Sequence, residues 1–129
     1  MSKTVLVCDD AMFMRAMIVR AMNEAGFTVI GEAETGKAAV ERYEALRPDL
    51  VTLDVVMPEM SGIQAARAII AFDPDARILM CSAMGQDRLV AEATHIGVAG
   101  FIVKPFDGTR LAAEARRIMH PAVPAGGTS

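Results

Sequence analysis

Residues 48–62 read PDLVTLDVVMPEMSG. Within them Leu50 to Leu53 form a short apolar, β-branched-rich run, the composition of a strand buried on both faces of a parallel sheet. The run stops at a carboxylate, Asp54. Met57 and Pro58 open a loop, and Ser61-Gly62 is a helix-start signal ahead of an apolar-periodic segment. An aspartate at the carboxyl end of a buried strand lies on the edge where open α/β sheets bind ligands. Taken alone, Asp54 would serve equally well to cap the next helix or to solvate a loop. What else the chain brings to that edge decides between these roles.

Toward the N-terminus, TVLVC at residues 4–8 predicts a first strand, followed by Asp9-Asp10 and a helix over 11–25 that Gly26 can close as a left-handed cap. Met12, Met14, Met17 and Met22 on that helix read mostly as adaptable core filler. A second strand is expected over 27–33. A second helix, capped by Thr35, carries Ala39, Tyr43 and Leu46 at helical spacing and ends at Arg47-Pro48. Toward the C-terminus, the helix after Ser61-Gly62 presents Ile63, Ala66, Ile69 and Ile70 on one face and stops at Asp73-Pro74. A fourth strand over 76–81 leads to Ser82-Ala83, and a helix over 86–96 is stopped by Gly97. A fifth strand over 99–103 leads to Lys104-Pro105. Asp107 caps a last helix with Leu111, Ala115, Ile118 and Met119 as its buried stripe.

Strand and helix thus alternate five times with short connections. That pattern implies a single-domain, doubly wound (βα)5 fold: a flavodoxin-like three-layer α/β sandwich around a parallel sheet of order 2-1-3-4-5. Residues 1–120 form the domain. Residues 121–129 (PAVPAGGTS) have the composition of a flexible tail.

A chain of 129 residues can bury a full core without disulfides or metals. The net charge of −3 gives no footprint for nucleic acid, and there is no basic run to hold a membrane. No apolar stretch is long enough to cross a bilayer. Carboxylates directly after the first apolar run argue against a signal peptide. The expected location is cytoplasmic. Cys8 and Cys81 would stand on strands separated by the one carrying Asp54, which argues against a disulfide and for buried, inert thiols. His95 and His120 lack a second ligand at metal spacing and read as surface or partly packed side chains.

The carboxyl ends of the strands collect Asp9, Asp10, Asp54, Ser82 and Lys104. Carboxylates crowded together repel; two charges ~4 Å apart cost roughly 4 kcal/mol at a surface-like dielectric. Such a site raises a pKa or recruits a divalent cation. Oxygen ligands at an open, hydrated edge suit Mg²⁺ better than zinc. Together with a lysine and a hydroxyl, this is a kit for phosphoryl transfer onto a carboxylate.

Four blocks, VLVCDDAMFMR, LDVVMPEMSG, MCSAMG and GFIVKPF, resemble the signature blocks of receiver domains of bacterial two-component response regulators. They stand in the family's order and spacing across residues 3–119. Within the family the chain is most similar to stand-alone chemotaxis regulators of the CheY type. The resemblance implies that Asp54 accepts the phosphoryl group. It implies that Asp10 and Asp54 bind Mg²⁺ directly, Asp9 mainly through water, and that the Val56 carbonyl completes the protein ligands. Lys104, through a cis bond to Pro105, would contact the phosphoryl group. Ser82 would swing in to bond it, and Phe101 would turn inward behind Ser82. The surface of the fourth helix, fifth strand and fifth helix would then change its affinity for a partner.

The partners implied are a chemotaxis-type sensor histidine kinase, a flagellar motor switch protein or another protein target, and a separate phosphatase. No nucleic acid or membrane is implied. The chain would be a switch, catalysing only its own phosphorylation and slow dephosphorylation. A receiver-only relay, a phosphate sink or a non-motility regulator is the alternative. Phe101 stands where many chemotaxis regulators have tyrosine, so it offers no hydroxyl to a partner. Val56 and Met84 replace polar groups that orient a water in other members, which predicts slow self-dephosphorylation.

Two unrelated chemistries fit less well. A phosphatase of the haloacid dehalogenase type needs a general-acid aspartate where Val56 stands. A flavin or nucleotide carrier needs a phosphate-cradling loop where Asp9-Asp10 would repel phosphate.

Overall fold

The computed structural model describes residues 2–120. Alternating apolar segments form β1 (Thr4–Cys8), α1 (Met12–Glu24), β2 (Thr28–Ala33), α2 (Gly36–Leu46) and β3 (Leu50–Asp54), then α3 (Gly62–Phe72), β4 (Ile78–Ala83), α4 (Asp87–Ile96), β5 (Gly100–Lys104) and α5 (Gly108–Met119). All ladders are parallel, and the order is β2-β1-β3-β4-β5. Parallel neighbours need a crossover helix, and right-handed crossovers distribute those helices over both faces of the sheet.

Strand alternation divides the core in two. Leu6, Cys8, Val51, Leu53, Ile78 and Met80 point to the face covered by α2, α3 and α4. Val5, Val7, Leu50, Leu79, Cys81 and Ile102 point to the face covered by α1 and α5. Each fully buried large aliphatic side chain contributes about 1.5–3 kcal/mol. Cys8 and Cys81 fall on opposite faces as well as on strands separated by β3, and both are free and buried. Burial pushes both thiols up, Cys81 to about 12. Of the α1 methionines, Met22 is buried and Met14 and Met17 pack against the core, whereas Met12 is exposed.

Helix ends follow local chemistry. Thr35 accepts the Ala38 N–H at the start of α2. Ser61 and Gln64 form a reciprocal capping box on α3. Asp107 accepts the Arg110 N–H on α5. Gly26, just past α1, has φ +95°.

Several strand boundaries differ from expectation. The fourth strand runs Ile78–Ala83 rather than over 76–81, because the Ala76 N–H closes a turn onto the Asp73 carbonyl. Ser82 and Ala83 stay in the ladder opposite Val103 and Lys104. Asp54 is likewise the last strand residue, paired with Cys81, and Lys104 the last of β5. A polar side chain does not end a strand while a neighbour still offers a parallel ladder to bond. The proposed tail, 121–129, lies outside the described residues. No helix among the described residues is long and apolar enough to cross a membrane.

Candidate functional site

The strand ends deliver five side chains to one edge. Asp9 follows β1, Asp54 and Lys104 terminate β3 and β5, Ser82 sits near the end of β4, and Asp10 begins the turn into α1. Asp9, Asp10 and Asp54 each offer a carboxylate oxygen, all within 4.8 Å of one another. Lys104 Nζ donates to Asp9 Oδ2 at 2.9 Å and lies 3.3 Å from Asp54 Oδ2. The Lys104–Pro105 peptide bond is cis. Asp9 Oδ1 accepts the Ala11 N–H at 2.9 Å, closing the turn into α1, whose N-cap residue, Ala11, makes no side-chain cap. Both oxygens of buried Asp9 are therefore engaged. Asp10 is exposed at the rim.

The backbone of Asp54 is fixed from behind. The Gly62 N–H donates to the Val55 carbonyl at 2.7 Å. A Cβ on Gly62 would stand 1.9 Å from the Asp54 carbonyl oxygen, so α3 can start here only with glycine. The connecting loop turns through Glu59, a non-glycine residue at φ +67°. It rests on the first turn of α2, where a Cβ on Gly36 would stand 1.9 Å from the Met60 carbonyl oxygen. Gly62 was readable only as a helix start, and Gly36 carried no signal, because close backbone approach is not a sequence pattern.

Electrostatics separates the charged groups. Burial, reinforced by the Asp9 charge, raises the Asp54 carboxyl above its ordinary value, against the pull of Lys104 and the Val56 N–H. Burial alone would lower Lys104, but its hydrogen bond to Asp9 and the charges of Asp54 and Asp9 outweigh this and raise it. The lysine therefore stays cationic, and Asp54 is the carboxylate whose ionised form burial opposes. A nucleophile facing a fixed cation is the arrangement that receiving an anionic phosphoryl group requires.

The β4 side is different. Ser82 is fully buried, yet its hydroxyl has no hydrogen-bond partner among the described residues. Phe101 is half-buried on the α3–α4 face, with its backbone opposite Met80. The Ala83 N–H is held by the Gln86 side chain at 2.6 Å, a contact the sequence did not suggest. Val56 and Met84 flank the site and are 54% and 79% exposed.

The donor set suits a hard divalent cation. It is all oxygen, clustered and partly open to water, with Asp10 exposed at its rim. The β-sheet edge, the three carboxylates and the opposed lysine coincide with a match to the response regulator receiver domain over residues 5–116. The chain belongs to the response regulator receiver family.

This receiver is 51% identical to the chemotaxis protein CheY of Thermotoga maritima over 111 residues, 86% of this chain and 92% of that one. It matches the CheX–CheY–BeF3–Mg²⁺ complex from Borrelia burgdorferi with a TM-score of 0.86 and 35% identity, over 90% of this chain and 88% of that one. It also matches the receiver domain of NarL from Mycobacterium tuberculosis, with a TM-score of 0.87 and 33% identity, over 94% and 98%. The receiver is thus a two-component signalling domain of the kind found in chemotaxis proteins.

Proposed function

We propose that the chain is a cytoplasmic, phosphorylation-activated switch whose phospho-acceptor is Asp54. The observation that carries this reading is Lys104 Nζ held 3.3 Å from Asp54 Oδ2 at the open end of the sheet. An Asp54 oxygen attacks phosphorus in the phosphohistidine of a sensor kinase. The O–P bond forms as the N–P bond breaks, and the imidazole leaves with a proton from solvent. Lys104 neutralises the non-bridging oxygens, and the buried Ser82 hydroxyl supplies a donor once the phosphoryl group is in place. Asp10, Asp54 and the Val56 carbonyl would hold Mg²⁺, with Asp9 acting mainly through water. When bound, the cation supplies charge neutralisation to the transferring group.

Phosphorylation then gives Ser82 the partner it lacks. Its movement opens space for Phe101 and shifts the α4-β5-α5 surface toward a second conformation. The target is a protein, with the flagellar motor switch as the first candidate, given the chemotaxis relatives. A complex of CheX with CheY from Borrelia burgdorferi supports a second protein partner, which we assign the role of phosphatase. The chain catalyses only its own phosphorylation and dephosphorylation.

Intact-mass measurement after incubation with acetyl phosphate and Mg²⁺ tests the reading. One phosphate should add to the wild type, and none to Asp54→Asn or to the wild type with chelator. Addition to Asp54→Asn would assign the acceptor elsewhere.

A further inference from the structure

The turn from β1 into α1 carries two of the three carboxylates, and a side chain outside the acidic cluster holds it. Arg15 lies in the first turn and a half of α1, where side chains lean back toward the helix N-terminus. Its Nη1 donates to the main-chain carbonyl of Asp9 at 2.9 Å. Its Nε donates to Glu32 Oε1 at 3.1 Å, and Glu34 Oε2 lies 3.8 Å from Nη1. The Arg15 side chain is only 14% exposed. Glu32 precedes Ala33, whose carbonyl accepts the Asp9 N–H at 3.0 Å. The two peptide groups flanking the Asp9 Cα are thus held from the β2 end and from Arg15, while both carboxylate oxygens are held by Ala11 and Lys104.

A plain ion pair with Glu32 would contribute little at a surface and would need no burial. The half-buried guanidinium does more, because its planar fork spends one N–H on Glu32 and another on the loop that bears the carboxylates. We propose that Arg15 is a positioning residue for the divalent-cation site. It fixes the Asp9 carbonyl and thereby the direction in which the Asp9-Asp10 turn presents its carboxylates. This rests on the receiver reading above, in which those carboxylates bind Mg²⁺.

Charge and positioning predict opposite signs. Removing a cationic side chain beside the loop that carries the metal-binding carboxylates should, by Coulomb's law alone, tighten Mg²⁺ binding. Removing a positioning partner should weaken it, typically by about 10–100-fold for groups that orient metal ligands.

The test is calorimetric titration of Mg²⁺ into the full chain as wild type, Arg15→Met and Arg15→Lys, with backbone amide resonances of residues 9–11 recorded for each. Expected is a dissociation constant about tenfold weaker in Arg15→Met, with the 9–11 amides shifted in the metal-free protein. Arg15→Lys keeps the charge and one donor, so it should fall between the two. It is also the variant to read if Arg15→Met does not fold. Unchanged or tighter binding in Arg15→Met, or an Arg15→Lys protein with wild-type affinity and unshifted amides, would overturn the proposal. A wild type that does not bind Mg²⁺ would instead overturn the receiver reading on which it stands.

Discussion

The β1 side and the β4 side of the acidic edge are bonded to opposite extents. On the β1 side, the Asp9 main-chain N–H and carbonyl and both its carboxylate oxygens have partners, drawn from β2, α1 and β5. On the β4 side, the Ser82 hydroxyl has none among the described residues, Met84 stands in solvent, and α4 buries only Ala93. By comparison, α5 buries five residues. Chemistry at Asp54 needs fixed distances, whereas a conformational response needs an element that costs little to move. Placing the two on either side of β3 lets one phosphoryl group on Asp54 satisfy the first and bias the second.

The largest expected effect breaks the fixed half. Gly62→Val would drive a side chain into the Asp54 carbonyl and should cost about 3 kcal/mol or more, read as a lower urea midpoint. A fully stable Gly62→Val protein would show that the α3 start is not what holds Asp54. Next in size is the mouth of the site. The exposed apolar pair Val56 and Met84 offers an attacking water nothing to bond, so the Val56→Asn, Met84→Glu double variant should lose its phosphate on the order of tenfold faster. Decay slower than in the wild type would count against it.

Ser82→Ala sharpens the comparison from the other side. Removing a buried hydroxyl without a partner should leave the resting protein as stable or more stable, by about 1 kcal/mol, while blunting its response to phosphorylation. A marked loss of resting stability would place Ser82 in the fixed half.

The smallest effect is a pH slope. The Lys104 pKa is raised by folding, so its contribution to stability is complete below the unfolded-lysine value and is lost as pH rises through the folded one. Asp54 is also raised, but as an acid. Between its unfolded and folded values the native state binds more protons, and stability falls as pH rises. Asp54→Asn should abolish that acid-side slope and Lys104→Met the alkaline one, both measurable by thermal melts across pH.

Most of the fold was legible because buried parallel strands such as Thr4–Cys8 and Leu50–Asp54 are continuous apolar runs separated by helical periodicity. The convergence of Asp9, Asp10, Asp54 and Lys104 followed from strand order alone. What escaped the sequence was whatever depends on distance between elements. The grip of Arg15 on the Asp9 carbonyl, the contact of Gly36 with Met60 and the closure of Gln86 on Ala83 join residues whose types alone carry no message. The fourth strand is expected two residues early because Ala76 and Arg77 have strand composition, whereas the Ala76 N–H closes a turn onto the Asp73 carbonyl and the ladder begins at Ile78.

The most direct test of the division between the two halves is backbone amide hydrogen exchange, measured on the free chain and on the chain phosphorylated by acetyl phosphate and Mg²⁺. Protection should change from Ser82 through α4 and β5 into α5, while β1, α1 and β2 beyond the Asp9–Ala11 turn keep theirs. Equal changes on both sides, or changes confined to α1 and β2, would contradict the division.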